Sequence, residues 1–322
     1  MRQQILIIQP LPGIGDTLWF FPHLKALSDY YRNEEDLTLL TKQSSKADQV
    51  LDGIVPLKKV LWLEREKTHG GFFGFWRLVR LLKQQRFESV WILHKSPRYA
   101  LACWFARIPN IYGYGAGFGR WVLTPPLLQK NDWHLHPIER AKALLSYHQI
   151  EVQESILNPI ASLKTLMAKR YGFKKLKKIP IVLGIGGSEV YKKWPARSFA
   201  DLAYALYQKG FAIFVLGGPQ EKREALLIQS MVQEKGGDVT PIWDLSLQEA
   251  FAFLSCMRLF VGNDTSMLNA AALIGIETYG IFAKTYPLAY RPNLHPITPI
   301  TEKDTTIGNI TAHQVLDRIL EE

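Results

Sequence analysis

The feature that most constrains this chain is an alternation of short apolar runs with helix-like segments, which is found in both halves. Strand, helix and strand in repetition predict a parallel sheet with crossover helices. In the first half, the predicted strands lie at residues 5–9, 37–41, 59–63 and 89–94, and the predicted helices at 17–27, 74–85 and 99–106.

The middle of the chain, residues 154–178, reads as one helix that ends in a basic run, and it predicts a connection between domains. The alternation restarts after this segment. Predicted strands follow at 181–185, 212–216, 259–261 and 278–282, and predicted helices at 198–209, 222–234, 246–255, 267–274 and 309–322. We therefore predict two α/β domains, with ligands bound outside the carboxyl ends of the strands.

The turn at residues 262–266 follows a strand and opens a helix rich in small side chains. The first turn of such a helix has free backbone N–H groups and a positive dipole end, which suit a phosphate or pyrophosphate. Helix capping by Asp264 or Thr265 is the alternative, and the turn alone leaves both open.

The first strand is followed by residues 10–16, which contain two glycines and end at Asp16. Asp16 lies near the start of the next helix, where it serves either as a helix cap or as a carboxylate base. Its place after the first strand of a parallel sheet favours the functional role.

Three further groups follow strands in the second half. Ser188 comes after the first of these strands, and Lys192 and Lys193 follow it. Lysines at such positions can neutralise phosphate oxygens, although an exposed pair without a role is equally consistent. Glu221 follows the next strand, where a carboxylate can accept hydrogen bonds from ribose or stabilise a helix start.

The net charge of +10 indicates an acidic partner. No nucleic-acid motif is present, which favours a phosphorylated substrate or an anionic membrane surface over nucleic acid. No apolar run reaches the length of a membrane span, and the first residues read as a strand, so we expect a cytosolic protein. No cluster of Cys, His and carboxylates has metal-ligand spacing.

Residues 72–80 are both aromatic and basic. Phe72, Phe75, Trp76, Val79 and Leu82 share one face of the predicted helix. This pattern favours a core-facing helix with a solvated basic side, and attachment to a membrane surface is the alternative.

Four blocks in this order resemble glycosyltransferase family 9, the heptosyltransferases of lipopolysaccharide core synthesis. They are residues 13–16 with Pro22 and Leu27 in the following helix, 192–195, 217–219 and 261–265. A weaker match lies at residues 136–140.

The resemblance implies a GT-B fold, in which two Rossmann-like, doubly wound α/β domains face each other across a cleft. By this resemblance, residues 1–160 form the acceptor-binding domain and 161–308 the domain that binds the nucleotide-sugar donor. The last helix, 309–322, is expected to pack back on the N-terminal domain.

The implied reaction is inverting transfer of a heptose, or a related sugar, from a nucleotide diphosphate donor to a lipopolysaccharide core acceptor. ADP-heptose is the expected donor, and neither a metal nor another cofactor is expected. By similarity, Asp16 is the general base and Lys192 neutralises the leaving diphosphate. The implied donor-binding residues are Ser188, Lys193, Glu221, Asp264, Thr265, Ser266, Met267, Asn269 and Lys284. The implied acceptor-binding residues are Gly13, Gly15, His94, Lys95 and Arg98.

The chain departs from the family pattern at the donor site. Ser266 stands where the family usually has Gly, and Asn269 where it has His, which can carry a positive charge. Residues 283–287 also differ from the family loop, and Lys284 is predicted to supply the missing charge. A nucleotide-sugar epimerase-like enzyme and a non-catalytic nucleotide-sugar-binding protein therefore remain alternatives, although Asp16 and Lys192 favour the transferase.

The partners implied by the resemblance are the nucleotide-sugar donor and a lipid-linked acidic saccharide, without nucleic acid. Peripheral contact with the cytoplasmic face of the inner membrane would suit such an acceptor.

Overall fold

The computed structural model describes residues 3–31, 35–64, 68–115, 117–284, 290–301 and 305–321. The chain divides into two compact units, Met1–Ser155 and Ile156–Glu322. The division lies slightly before the predicted boundary at residue 160, because residues 156–160 already belong to the second unit. The N–H of Leu157 donates to the carbonyl of Leu273 at 2.8 Å.

The first unit is built around a parallel sheet with the strand order β3-β2-β1-β4-β5 among its described residues. Its strands are β1 Gln3–Ile8, β2 Glu35–Thr41, β3 Lys59–Trp62, β4 Ser89–Ile92 and β5 Asn110–Gly113. Its helices are α1 Ile14–Tyr30, α2 Ala47–Val50, α3 Gly71–Gln85, α4 Pro97–Phe105 and α5 Pro137–Tyr147.

The second unit is built around a second parallel sheet, with the order β11-β10-β9-β6-β7-β8 in the described part. Its strands are β6 Pro180–Gly184, β7 Ala212–Leu216, β8 Thr240–Ile242, β9 Leu259–Asn263, β10 Glu277–Ile281 and β11 Leu294–Ile297. Its helices are α6 Ala161–Arg170, α7 Ala196–Gln208, α8 Lys222–Glu234, α9 Leu247–Leu254, α10 Ser266–Ile274 and α11 Ala312–Leu320. The prediction of two α/β domains with parallel sheets is confirmed.

The central strands are apolar along their length because helices cover both faces of a doubly wound sheet. In β1, the side chains of Ile5 to Ile8 are completely buried. In β9, Phe260 and Val261 are equally buried. Pairing of β1 with β4, and of β9 with β6, brings the carboxyl ends of these strands to one edge of each sheet.

The C-terminal helix α11, Ala312–Leu320, packs within the second unit. Thr311 caps it by accepting from the N–H of Gln314, as the capping pattern indicates. Its apolar face packs against α7, and Val315 and Ile319 belong to the core of the second unit. The apolar stripe of α11 therefore contributes to the core of the second unit, and the expected packing of this helix on the first domain stays a prediction.

The prediction of a single helix at 154–178 is wrong. Residues 151–160 have no regular structure, and α6 covers only Ala161–Arg170. Pro159 disfavours helical geometry in the residue before it. Gly172, with a φ of 68°, lies in the left-handed region just after the helix end.

The face of α3 that was predicted to point into the core is divided. Val79 and Leu82 are buried, whereas Phe72 and Trp76 are exposed. Phe72 and Trp76 lie in the first turns of the helix, and Phe75 beside them is half-buried and packs against the core of the first unit. Within the described residues, no helix combines the length and the apolar character needed to cross a bilayer.

Candidate active site

A pocket of about 280 Å³ lies at the carboxyl edge of the second sheet. The loops that follow β6, β7 and β9 form its polar side, which includes Ser188, Glu221 and Asp264. An apolar wall, made by Leu245, Leu247 and Ala250, completes the lining. A polar end joined to an apolar wall is suited to a ligand with a charged part and a flat, apolar part.

The start of α10 contributes Thr265, Ser266 and Met267 to this pocket. Thr265 is the residue that precedes the helix, and its side chain makes no capping hydrogen bond. The first N–H groups of α10 therefore have neither an intrahelical acceptor nor a cap from the Thr265 side chain, and they coincide with the positive end of the helix dipole. This end of the pocket can accept an anion.

Two ion pairs join the loop after β6 to other parts of the pocket. The Lys192 ammonium lies 3.0 Å from Oδ2 of Asp264, and the Lys193 ammonium lies 2.9 Å from Oε1 of Glu221. Glu221 also accepts from the N–H of Gly218 at 3.0 Å, so it stabilises the start of the α8 region as well. Only glycine at position 187 leaves room for the Lys193 side chain, because a Cβ added to Gly187 would lie 2.7 Å from Cγ of Lys193.

Asn263, the last residue of β9, fixes the position of the lysine-bearing loop. Its side chain is completely buried. Nδ2 donates to the carbonyls of Ile185 (3.1 Å) and Gly186 (2.9 Å), and Oδ1 accepts from the N–H of Trp194 at 3.0 Å. The strand that leads into α10 therefore holds both ends of the loop that carries Lys192.

Most of the predicted donor-binding residues gather at this pocket. Ser188, Glu221, Asp264, Thr265, Ser266 and Met267 line it. Lys192 and Lys193 lie beside the pocket, ion-paired with its lining residues Asp264 and Glu221.

Two predicted donor residues lie elsewhere. Asn269 is buried, and its Oδ1 accepts from the hydroxyl of Tyr290 at 2.9 Å. The ammonium of Lys284 lies 5.1 Å from the ring centre of Tyr191, the neighbour of Lys192. Residues 285–287 of the divergent loop lie outside the described residues.

In the first unit, the predicted base Asp16 occupies the first turn of α1. Its Oδ2 accepts from the N–H of Gly13 at 2.8 Å, so it does cap the helix. Partial burial raises the pKa of this carboxyl, whereas the hydrogen bond from Gly13 and the charge of Lys42 act to lower it. The two roles weighed for Asp16 are compatible, because capping uses one carboxylate oxygen.

The other predicted acceptor residues follow β1 and β4 at the same sheet edge. Gly13 and Gly15 form the start of α1, and Lys95 is exposed just beyond β4. His94 accepts from the N–H of Ser96 at 3.0 Å.

Arg98 has a structural role. Its Nη2 donates to the carbonyls of His69 and Gly71 at 2.8 and 2.9 Å, which braces the start of α3.

Sequence reasoning missed Lys42 and the role of Asn263. Lys42 directly follows β2, so the rule that ligands lie beyond strand ends could have identified it. The role of Asn263 depends on contacts with distant backbone, and no local pattern encodes them. In the described part of the chain, no group of three or more His, Cys, Asp and Glu residues is arranged to hold a metal ion.

Two all-parallel α/β units are typical of the GT-B fold, and the second unit has a pocket with a polar end at its sheet edge. A family model described as glycosyltransferase family 9 (heptosyltransferase) matches residues 75–318. The chain belongs to this family and is a glycosyltransferase of the heptosyltransferase type.

Individual relatives agree with this assignment. The chain is 22% identical over 258 residues to lipopolysaccharide heptosyltransferase 2 of Salmonella typhimurium, covering 74% of this chain and 69% of that protein. Among solved structures, the E. coli ADP-heptose lps heptosyltransferase II has a TM-score of 0.73 at 18% identity, over 98% of this chain and 97% of that one. The E. coli heptosyltransferase WaaC with ADP-2-deoxy-2-fluoro heptose has a TM-score of 0.72 at 15% identity, over 99% of both chains.

Proposed function

We propose that the chain transfers a heptose from ADP-heptose to a lipopolysaccharide core acceptor, with inversion at the anomeric carbon. The observation that carries this proposal is the pairing of an uncapped α10 start with Lys192 at the polar end of one pocket. A diphosphate bound there would meet both backbone N–H groups and a cation. The structural similarity to the E. coli heptosyltransferase WaaC, which was solved with ADP-2-deoxy-2-fluoro heptose, supports ADP as the nucleotide.

The donor is proposed to bind with its diphosphate at the start of α10 and its nucleobase against Leu247 and Ala250. Glu221 has one oxygen bonded to Gly218 and the other to Lys193. A ribose hydroxyl donating to this carboxylate would therefore join an existing network. Lys192 would neutralise the charge that develops on the leaving ADP.

The proposed base is Asp16. It takes the proton from the acceptor hydroxyl while that oxygen forms a bond to the anomeric carbon of the heptose. The bond from this carbon to the diphosphate oxygen breaks, and ADP leaves with the bonding electrons. A raised pKa makes Asp16 a better proton acceptor than an ordinary carboxylate once it is ionised.

The acceptor is proposed to be a lipid-linked acidic saccharide, with Lys42 and Lys95 as cations at its site. Such an acceptor lies in a membrane, so the proposal includes peripheral binding at the cytoplasmic face of the inner membrane.

Calorimetric titration with ADP, UDP, GDP and CDP tests the donor site. We expect selective ADP binding, weakened about tenfold or more in Lys192→Gln, since hydrogen bonds to charged groups contribute about 1.5–3 kcal/mol. Lys209→Gln, at an exposed lysine of the same unit, is the matched control and should bind normally. Preference for another nucleotide, or an unaffected Lys192→Gln variant, would contradict the proposed donor.

A transfer assay with truncated core lipids tests the reaction itself. Mass spectrometry should detect addition of one heptose to the acceptor only when donor and acceptor are both present. Chemical conversion of the donor in the absence of acceptor would instead identify an epimerase-like enzyme.

A further inference from the structure

Five aromatic side chains on α3 and α4 form a continuous exposed row. Phe72 and Phe73 are 71% and 78% exposed, and Trp76, Trp104 and Phe105 are also exposed. We call these five residues the aromatic row. None of them is needed for the proposed donor site, which lies in the other unit.

The rings of the aromatic row contact one another from end to end. The ring centres of Phe73 and Phe72 are 5.8 Å apart, and those of Phe72 and Trp76 are 6.4 Å apart. Trp76 lies 5.1 Å from Phe105, which lies 4.8 Å from Trp104. The row is therefore one contiguous surface that bridges two helices. Contiguous exposed apolar surfaces of this kind mark interaction sites in proteins.

The two helices that carry the row are held rigidly. Arg98 of α4 bonds the carbonyls of His69 and Gly71 at the start of α3, and its guanidinium lies 5.3 Å from the ring centre of Phe75. Gly74 packs so closely on His69 that an added Cβ would lie 2.4 Å from its carbonyl carbon. The row is thus presented on a fixed scaffold, which suits a docking surface.

The charge around the row is strongly positive. The sequences of α3 and α4 contain Arg77, Arg80, Lys83 and Arg98, and neither contains an acidic residue. Over residues 68–131 the only acidic residue is Glu88, and the basic residues are Arg77, Arg80, Lys83, Arg86, Lys95, Arg98, Arg107, Arg120 and Lys130. Most of the net charge of +10 therefore arises in this part of the first unit.

We propose that the aromatic row and the adjacent Arg77 and Arg80 are a docking surface for the interface of a bilayer containing anionic lipids. Phe and Trp side chains are favoured at the headgroup level of a membrane, and arginines beside them attract anionic headgroups. A second copy of the chain is a poorer occupant, because two such surfaces face to face would oppose like charges. The proposal depends on the proposed function only for the identity of the membrane.

Two further aromatic residues extend the apolar character of this region. Phe118 and Trp121 are 82% and 89% exposed, in the short helical segment that packs against α4.

Vesicle flotation with the full chain tests the surface. The probes are vesicles of phosphatidylethanolamine with phosphatidylglycerol, compared with vesicles of phosphatidylcholine alone. We expect binding to the anionic vesicles at low salt and weaker binding as salt is added, because salt screens the arginines. The double variant Phe72→Ser/Phe73→Ser should bind at least about tenfold more weakly, since it removes two rings that would be buried in the membrane interface.

Charge variants and controls complete the test. Arg77→Gln and Arg80→Gln should each weaken binding about fivefold, as expected for one basic residue near an anionic surface. Tyr30→Ser, at an exposed aromatic residue outside the row, and Lys209→Gln should bind like the unmodified chain. All variants should keep their thermal melting temperature and their affinity for ADP.

Three results would overturn the proposal. The first is no binding of the unmodified chain to anionic vesicles at low salt. The second is an equal loss in Phe72→Ser/Phe73→Ser and Tyr30→Ser. The third is a dimer in sedimentation that Phe72→Ser/Phe73→Ser dissociates, since a second copy would then cover the row. ADP titration is independent of all three, so failure of the surface and failure of the donor site are distinguishable.

Discussion

The ammonium of Lys192 lies 3.0 Å from the carboxylate of Asp264, so the cation proposed to meet the donor diphosphate is ion-paired with an acidic residue that lines the same pocket. Both side chains are about one-fifth exposed, and solvent screens part of their attraction. A bound diphosphate would compete with Asp264 for Lys192 and would bring negative charge close to that carboxylate.

Asp264→Asn is therefore expected to bind ADP more tightly and to transfer sugar more slowly. Tighter binding, by up to about fivefold, follows from removing a competing charge worth up to about 1 kcal/mol. Slower transfer follows because Lys192 is held less firmly for the transition state. Calorimetry and steady-state kinetics measure the two effects, with Asp238→Asn as an exposed control. Weaker ADP binding in Asp264→Asn would contradict the competition.

Asp16→Asn separates the catalytic role of this residue from its capping role. The amide oxygen can still accept from the N–H of Gly13, so the melting temperature should change little. The kcat for transfer should fall by about 10²–10⁴, the usual contribution of a general base. Asp16→Ala should lose the same activity and also about 1 kcal/mol of unfolding free energy, through loss of the cap. A fall of only a few-fold in Asp16→Asn would exclude it as the base.

The pH dependence of transfer should report the environment of Asp16. Burial raises its pKa, and the base must be ionised, so kcat/KM should fall as pH drops through this raised pKa. Lys42 lowers the same pKa. In Lys42→Met the acidic limb of the profile should therefore move to higher pH. Lys142→Met, at an exposed lysine of α5, should leave the acidic limb of the profile at the same pH as in the unmodified chain. An acidic limb at the same pH in the unmodified chain, Lys42→Met and Lys142→Met would contradict the electrostatic effect of Lys42 on Asp16.

Asn263→Ala should affect both stability and donor binding. It leaves two buried carbonyls and one N–H without their partner, which costs about 3 kcal/mol. For a unit of this size the melting temperature should fall by roughly 10 °C. ADP affinity should also fall, because the loop that carries Lys192 is released. Asn158→Ala, at an exposed asparagine, should change neither quantity.

Lys284→Ala tests whether this lysine supplies the charge that the family places at the position of Asn269. Lys284 lies over the ring of Tyr191, beside Lys192, whereas Asn269 is bonded to Tyr290. We expect Lys284→Ala to bind ADP about fivefold more weakly than the unmodified chain. Lys284→Arg should bind ADP normally, because it retains the positive charge. Unchanged affinity in Lys284→Ala would remove Lys284 from the donor site.

The central strands were predictable because each is a continuous apolar run covered on both faces. The edge strands β5, β8 and β11 were missed. Each is short, and β8 and β11 also contain a proline, Pro241 and Pro296. Proline is tolerated at a sheet edge but weakens the strand pattern in the sequence. The helix at 154–178 was predicted too long for a related reason. The apolar spacing of this segment favours a helix, whereas Pro159 prevents the helix from starting before residue 161.

The candidate donor site was predictable to the extent that it follows strand ends. Ser188, Glu221 and Asp264 all lie where a parallel sheet exposes its ligand-binding edge. The apolar wall of Leu245 and Leu247 could not be predicted in this way, since it comes from the loop before α9 and the start of that helix rather than from a recognisable motif. Ion pairing within the pocket depends on side-chain directions that spacing alone does not specify.

The bonds of Asn263 have a consequence for how donor choice can diverge. They tie the lysine-bearing loop to the strand that leads into α10, so the end of the pocket where the diphosphate is proposed to bind is one preassembled unit. The wall of Leu245, Leu247 and Ala250 makes none of these bonds. If the proposed donor site is correct, substitutions in that wall are expected to change which nucleobase fits while the proposed phosphate contacts stay the same.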